Sequence, residues 1–285
     1  MNKSLSTLLS GIKGLLYRIG ISVTKYPTMK NLVNTSKDYN HLSTSVKFLK
    51  YLKQDKLLEA VKVVEIIKAQ IQQDLFVLLA LEFKHKGYFV EFGATNGEYM
   101  SNSWILENEF GWNGIVAEPG ALWHDDLKNN RNCKISTKCI WKDSGEKILF
   151  NEAKDGGFST INKYTSGDNH SELRKGGKQY YVETISLNDL LESFEAPRKI
   201  DYLSIDTEGS EYDILNSFDF DKWDISVITV EHNYTDNRDK IQLLLVSKGY
   251  IRVLSSISQF DDWYVKPELL KNLKSTFLLD LEDKD

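Results

Sequence analysis

The chain has 285 residues, 41% of them hydrophobic, enough for one large core or one core with a small addition. A net charge of −5 and a pI near 5.7 leave no overall basic footprint, so nucleic acid is set aside as a partner. No apolar run is long enough to span a bilayer, no cleavable signal peptide is evident, and Cys133 and Cys139 suggest neither a disulfide framework nor a metal site. A reducing cytoplasm is the expected setting.

Ser4–Ile21 carries Leu5, Leu8, Leu9, Ile12, Leu15, Leu16 and Ile19 at helical spacing, with Lys13 and Arg18 among them. Two readings stand: a helix docked on the protein's own core, or one lying in the interface at the inner face of a membrane. Thr28–Ser45 is polar and reads as a tether. Val46–Lys86 has no Gly or Pro and predicts two or three helices, acting as a cap, a surface for homo-oligomer formation or a helical pair. The expected division is residues 1–86, an N-terminal helical extension, and residues 87–285, a second domain.

Tyr88-Phe89-Val90-Glu91-Phe92 is a short aromatic and β-branched run that stops in Gly93-Ala94-Thr95-Asn96-Gly97, which predicts a central strand and a tight turn. Ser101-Asn102-Ser103 then reads as the capped start of a helix. Glycines let a backbone approach a ligand closely, and the free N–H groups of a helix start offer donors. A second apolar strand, within Trp112–Pro119, ends in Glu118, 21 residues beyond Gly97. An acidic residue there sits beside the first turn and can accept both hydroxyl hydrogens of a ribose. The G-x-G-x-x-G triplet of dinucleotide folds is missing, and Glu91 is placed to meet an ammonium group, which favours S-adenosylmethionine over a nicotinamide cofactor.

Further along, Ala121–Asn130 predicts a helix and Lys134–Trp141 a third strand, which would bring Cys139 toward the adenine and put both cysteines on one face. Lys147–Glu152, Gly156–Thr160 and Gln179–Ile185 read as extended segments around the loop Tyr164–Lys178, a lid or a disordered stretch. Ser186–Phe194 is an amphipathic helix. Ile200–Ile205 predicts a strand ending in Asp206, followed by Thr207-Glu208-Gly209-Ser210-Glu211. Ile225–Val230 predicts another, ending in Glu231-His232-Asn233. Asp236–Ser247 is a helix, Tyr250–Leu254 a strand and Asp262–Val265 an antiparallel edge strand. The expected fold is α/β, a doubly wound Rossmann-like sheet of seven mostly parallel strands.

Carboxylates at the C-terminal edge of such a sheet lie where ligands bind, and His232 is expected to project toward Asp206 and Glu208 from the neighbouring strand. The catalytic set is therefore His232 as base with Asp206 and Glu208. The same three are the candidate ligands for magnesium or manganese. The cofactor-binding set is Glu91, Gly93, Ala94, Thr95, Gly97, Ser103, Glu118, Pro119, Cys139 and Asp206.

Taken together, Tyr88–Gly97, Gly111–Pro119, Thr184–Leu191, Ile200–Leu215 and Val230–Asn233 resemble the FkbM-type S-adenosylmethionine-dependent methyltransferases, over roughly Gly87–Val265. Glu91 stands where that family typically has Asp, and Thr95 where it has Asn. The resemblance implies O-methylation of a hydroxyl on a small-molecule or glycan acceptor. A nicotinamide-dependent oxidoreductase and a non-catalytic scaffold are the competing readings.

Overall fold

A computed structural model describes residues 43–154, 156–166 and 170–278. Ser4–Ile21, read as an amphipathic helix, lies outside them. Within the compact unit Ser45–Asp285, seven strands form the main sheet. They are β1 (Tyr88–Phe92), β2 (Asn113–Ala117), β3 (Lys134–Ser136), β8 (Lys199–Ile205), β9 (Asp224–Glu231), β10 (Ile251–Val253) and β11 (Asp261–Val265). Their spatial order is β10-β11-β9-β8-β1-β2-β3, and only β11 runs antiparallel to its neighbours. The expected doubly wound sheet is therefore present, with one change: β11 lies between β9 and β10, and β10 is the edge. Asp261–Val265 is buried throughout, as an inserted strand must be.

Alternation along each strand feeds two cores. Phe89, Val116, Tyr202, Val227 and Trp263 face one side; Val90, Ile115, Leu203, Ile228 and Val230 face the other. The first side is covered by helix Gln73–Ala80, where Leu75–Ala80 are all buried and Phe76 stacks on Trp263 at 4.5 Å between ring centroids. Each such Leu or Phe contributes about 1.5–3 kcal/mol on burial. Residues 45–86 thus share the sheet's own core, so the expected boundary near Lys86 does not divide two compact bodies. The second side is covered by helices Leu187–Ser193, Glu211–Asn216 and Asn237–Ser247, through residues such as Leu190, Leu215 and Leu245.

The expected strand Lys134–Trp141 breaks in two. β3 stays in the main sheet, whereas β4 (Cys139–Trp141) joins a second sheet, β4-β7-β5-β6, with β5 (Lys147–Glu152), β6 (Thr160–Ile161) and β7 (Lys178–Ser186). The polar pair Thr137-Lys138 is where the chain changes sheets, so Cys133 and Cys139 are not on one strand face. Both are free thiols. Among the described residues no helix is long and apolar enough to cross a membrane.

Candidate active site at the sheet's C-terminal edge

β1 ends in a turn whose shape is dictated by close contacts. Gly93 has φ +73°, donates its N–H to Ala117 O at 3.1 Å, and would place a Cβ only 2.0 Å from the backbone oxygen of Asp206. No other residue fits there. Gly97, at φ +82°, leaves no room for a Cβ against Leu127 and Arg131. Between them Thr95 holds a left-handed φ of +46°, and Ala94 is buried.

Glu91 does not take the expected role. Its carboxylate is buried and accepts from Ser101 Oγ at 2.9 Å, Asn102 N at 2.7 Å, Ser103 Oγ and Arg131 Nη1 at 3.3 Å. These donors satisfy it, so a ligand's ammonium group has no claim on it. Ser103 is likewise spent on Glu91, while Ser101 Oγ takes the N–H of Trp104 and caps the helix Trp104–Asn108. Glu91 and Ser103 shape the turn from behind.

Glu118 sits where expected, at the end of β2. Oε2 accepts the Thr95 N–H at 2.9 Å and Oε1 the Gly120 N–H at 2.7 Å, which ties this carboxylate to the first turn and to the chain just past Pro119. Burial pushes its pKa up to about 7 against the pull of those two backbone donors. A carboxylate oxygen accepts more than one hydrogen, so this donor pattern leaves room for the two hydroxyls of a ribose. The site fits an adenosine in kind. Cys139 lies close enough for Glu118 to add to its shift, although burial is the larger cause lifting that thiol to about 12.

The second half of the site lies past β8 and β9. Asp206, Glu208 and Glu231 each offer an oxygen within 4.8 Å of the other two. Glu231 and Asp206 hydrogen-bond to each other, and burial is the main cause raising both pKa values; Asp206 raises that of Glu231 further, whereas the bond from Glu231 lowers that of Asp206. Glu231 is 8% exposed, and its Oε2 has no hydrogen-bonding partner. Glu208 is held differently, by Arg174 Nη2 at 2.6 Å and Asn233 Nδ2 at 3.3 Å. Arg174 is fully buried and also donates to Phe158 O at 2.8 Å. It closes the segment between β6 and β7 onto the site, so the described part of Tyr164–Lys178 is anchored. Glu211 receives the N–H groups of Thr207 and Gly209 and fixes the loop between Asp206 and the next helix.

His232 is not part of this group. Side chains alternate across the pleat, so Glu231 shares the face of Thr229, whereas His232 follows Val230 to the other face. There His232 Nε2 lies 3.7 Å from Asp262 Oδ1, and Nδ1 accepts the Tyr234 N–H at 3.0 Å. Burial lowers its pKa. Glu231, and not His232, joins Asp206 and Glu208 in the carboxylate cluster. Its signal was one residue away, as the last member of the β9 run. Arg174 had no comparable signal in its polar loop. Thr95, Glu208, Asn233 and Tyr234 have φ between +45° and +58° without being glycine, as do residues elsewhere in the fold such as Gln72 and Phe83 with φ of +74° and +53°.

Comparison with curated proteins finds no match. Solved structures that resemble the chain include a precorrin-6y C5,15-methyltransferase from Geobacter metallireducens, at 11% identity over 70% of this chain and 89% of that one, with a TM-score of 0.38. A putative RNA methyltransferase from Pyrococcus horikoshii matches at 10% identity over 70% and 84%, with a TM-score of 0.33. The human methyltransferase 10 domain containing protein matches at 10% over 71% and 84%, with a TM-score of 0.36. Residues 91–266 match the family described as the methyltransferase FkbM domain, a span that runs from Glu91 in β1 through Asp206 and Glu231 to just past β11. The chain belongs to the FkbM methyltransferase family.

Proposed function

We propose that this methyltransferase uses S-adenosylmethionine and methylates a hydroxyl oxygen, on a sugar or glycan. The observation that carries the reading is the meeting of two units at one edge: the Glu118 carboxylate tied to the Gly93–Gly97 turn, and the buried Asp206–Glu231 carboxyl pair, whose Asp206 backbone packs against Gly93. The donor, when bound, supplies a methyl group on a positively charged sulfur. The chain's own residues do the rest. Glu118 would hold the ribose, and the backbone of the turn would line the ligand. The ionised member of the Asp206–Glu231 pair would take the proton of the acceptor hydroxyl, a role worth about 10²–10⁴-fold.

Sugar hydroxyls are weak acids, and a buried carboxyl pair of raised pKa is a stronger base than an ordinary surface carboxylate. The rim supports a carbohydrate acceptor as well. Tyr99 and Tyr234, 49% and 65% exposed, stand on the loops after β1 and β9. A cytoplasmic setting accords with the two free cysteines.

A second reading adds magnesium or manganese, favoured by the three oxygens within 4.8 Å of one another. The donors suit such an ion in kind, but Glu208 is already engaged by Arg174. Chelation discriminates: under the first reading activity survives it.

Calorimetry with S-adenosylhomocysteine tests the cofactor. Binding in the micromolar range, about −8 kcal/mol, is expected for the wild type, with a clear loss in Glu118→Ala. Equal binding by both would remove Glu118 from the ribose, and no binding by the wild type would remove the cofactor.

A further inference from the structure

Residues 68–74 lie outside the family-matched span 91–266, yet they grip both halves of the catalytic edge. On the side of the first turn, Lys68 Nζ pairs with Glu98 Oε1 at 2.7 Å and Ala69 bridges to Met100, just past Gly97. Asp74 folds the stretch into shape, its buried carboxylate accepting the N–H groups of Lys68 at 2.8 Å, Ala69 at 3.2 Å and Leu75 at 2.8 Å.

Gln73 reaches the other half. It is buried, its Nε2 donates to Asp261 Oδ2 at 2.9 Å, and its Oε1 accepts the Ile71 N–H at 3.0 Å, which fixes the end of the amide that faces the carboxylate. Asp261 is the partner of Glu231 across the β11–β9 pair, so the two side chains leave the same face of the sheet, with Cβ atoms about 4.5–5.5 Å apart. Burial pushes Asp261 up to about 8; the Gln73 hydrogen bond pulls it down, and the charge of Asp206 pushes it up further. A buried carboxylate that loses a donor seeks another. Asp261 has Glu231 across from it and Asp206 close by, so a turn toward either disturbs the pair whose Glu231 Oε2 has no hydrogen-bonding partner.

We propose that Gln73 is a positioning residue of the active site, which holds Asp261 off the Asp206–Glu231 pair and so keeps the unpartnered oxygen of Glu231 aimed at the ligand. The inference rests on the reading of S-adenosylmethionine as donor and of Glu231 as the group that meets the acceptor hydroxyl. It is tested by titration calorimetry of the full chain with sinefungin, an S-adenosylmethionine analogue carrying a protonated amine in place of the methylated sulfonium, and with S-adenosylhomocysteine, which has no charge there. The wild type should prefer sinefungin by about tenfold or more, the size of one charge-assisted hydrogen bond. Gln73→Met should lose at least about fivefold of that preference while its affinity for S-adenosylhomocysteine stays within about twofold. Should the single change unfold the chain, Gln73→Met with Asp261→Leu, which strands neither donor nor acceptor, carries the same expectation. Asp261→Asn still accepts the Gln73 hydrogen and should keep the preference within about threefold. Glu231→Gln should abolish it and reports on the underlying reading. Wild-type preference in Gln73→Met beside its loss in Glu231→Gln overturns this inference alone, as does a parallel loss of both ligands in Gln73→Met or an Asp261→Asn protein as impaired as Gln73→Met. No preference in the wild type, or its survival in Glu231→Gln, overturns the inference together with the placement of Glu231 at the ligand.

Discussion

Glu91 and Glu231 are both buried glutamates at the ends of strands on the same face of the sheet, and their surroundings give them opposite work. Arg131, Asn102, Ser101 and Ser103 all donate to Glu91, which is thereby a structural anion. Glu231 meets another carboxyl, Asp206, and keeps an oxygen with no partner. The contrast teaches that the donors arriving from elsewhere, and not the position at a strand end, decide whether a carboxylate is satisfied within the fold or keeps an open oxygen.

The contrast breaks most visibly on the chemical side. Glu231→Gln should lower methyl transfer by about 10²–10⁴ while leaving the unfolding temperature level or higher, since it removes one of two buried carboxyl groups that face each other. Turnover within a few-fold of wild type would sink the assignment. Glu91→Ala should do the reverse, costing about 3–5 kcal/mol in urea denaturation because Arg131 is left buried with one counter-ion fewer. A stable Glu91→Ala protein with abolished activity would mean that Glu91 works on the ligand after all.

Glu118 lies between these extremes. Its folded pKa of about 7 exceeds the ordinary 4.5, so between those values the folded chain keeps a proton that the unfolded chain has released. Its contribution therefore makes stability fall as pH rises through that window and level off above about pH 7. Affinity for S-adenosylhomocysteine should run the other way, rising as pH passes about 7, because only the carboxylate accepts both ribose hydroxyls. Glu118→Gln should lose about ten- to a hundredfold in affinity, and titration calorimetry from pH 6 to 8 should find its pH dependence gone. The smallest effect belongs to His232→Ala. With its ring turned to Asp262, turnover should drop less than about tenfold, well short of the loss of a general base; a drop of a thousandfold in steady-state assays would return His232 to the chemistry.

The sheet, its reversal at the β1 turn and the placement of Glu118 and Asp206 were legible because apolar runs ending in Gly or carboxylate mark strand ends. What escaped depends on distant partners. Glu91 looked ligand-facing because Arg131 lies 40 residues away in the sequence. The choice between Glu231 and His232 rested on the phase of one pleat. The second sheet was hidden because β4 pairs with β7, whose partner residues Thr184–Ser186 begin 45 positions later. Arg174 is buried by an ion pair that no local pattern announces.

The 2.0 Å that would separate a Cβ on residue 93 from the Asp206 oxygen has a practical consequence. The turn after β1 and the loop after β8 are braced against each other, so neither can be redesigned alone. Engineering toward a new acceptor should leave that brace untouched and begin in the β5–β7 sheet and the Arg174 segment, which reach the site from a separate layer.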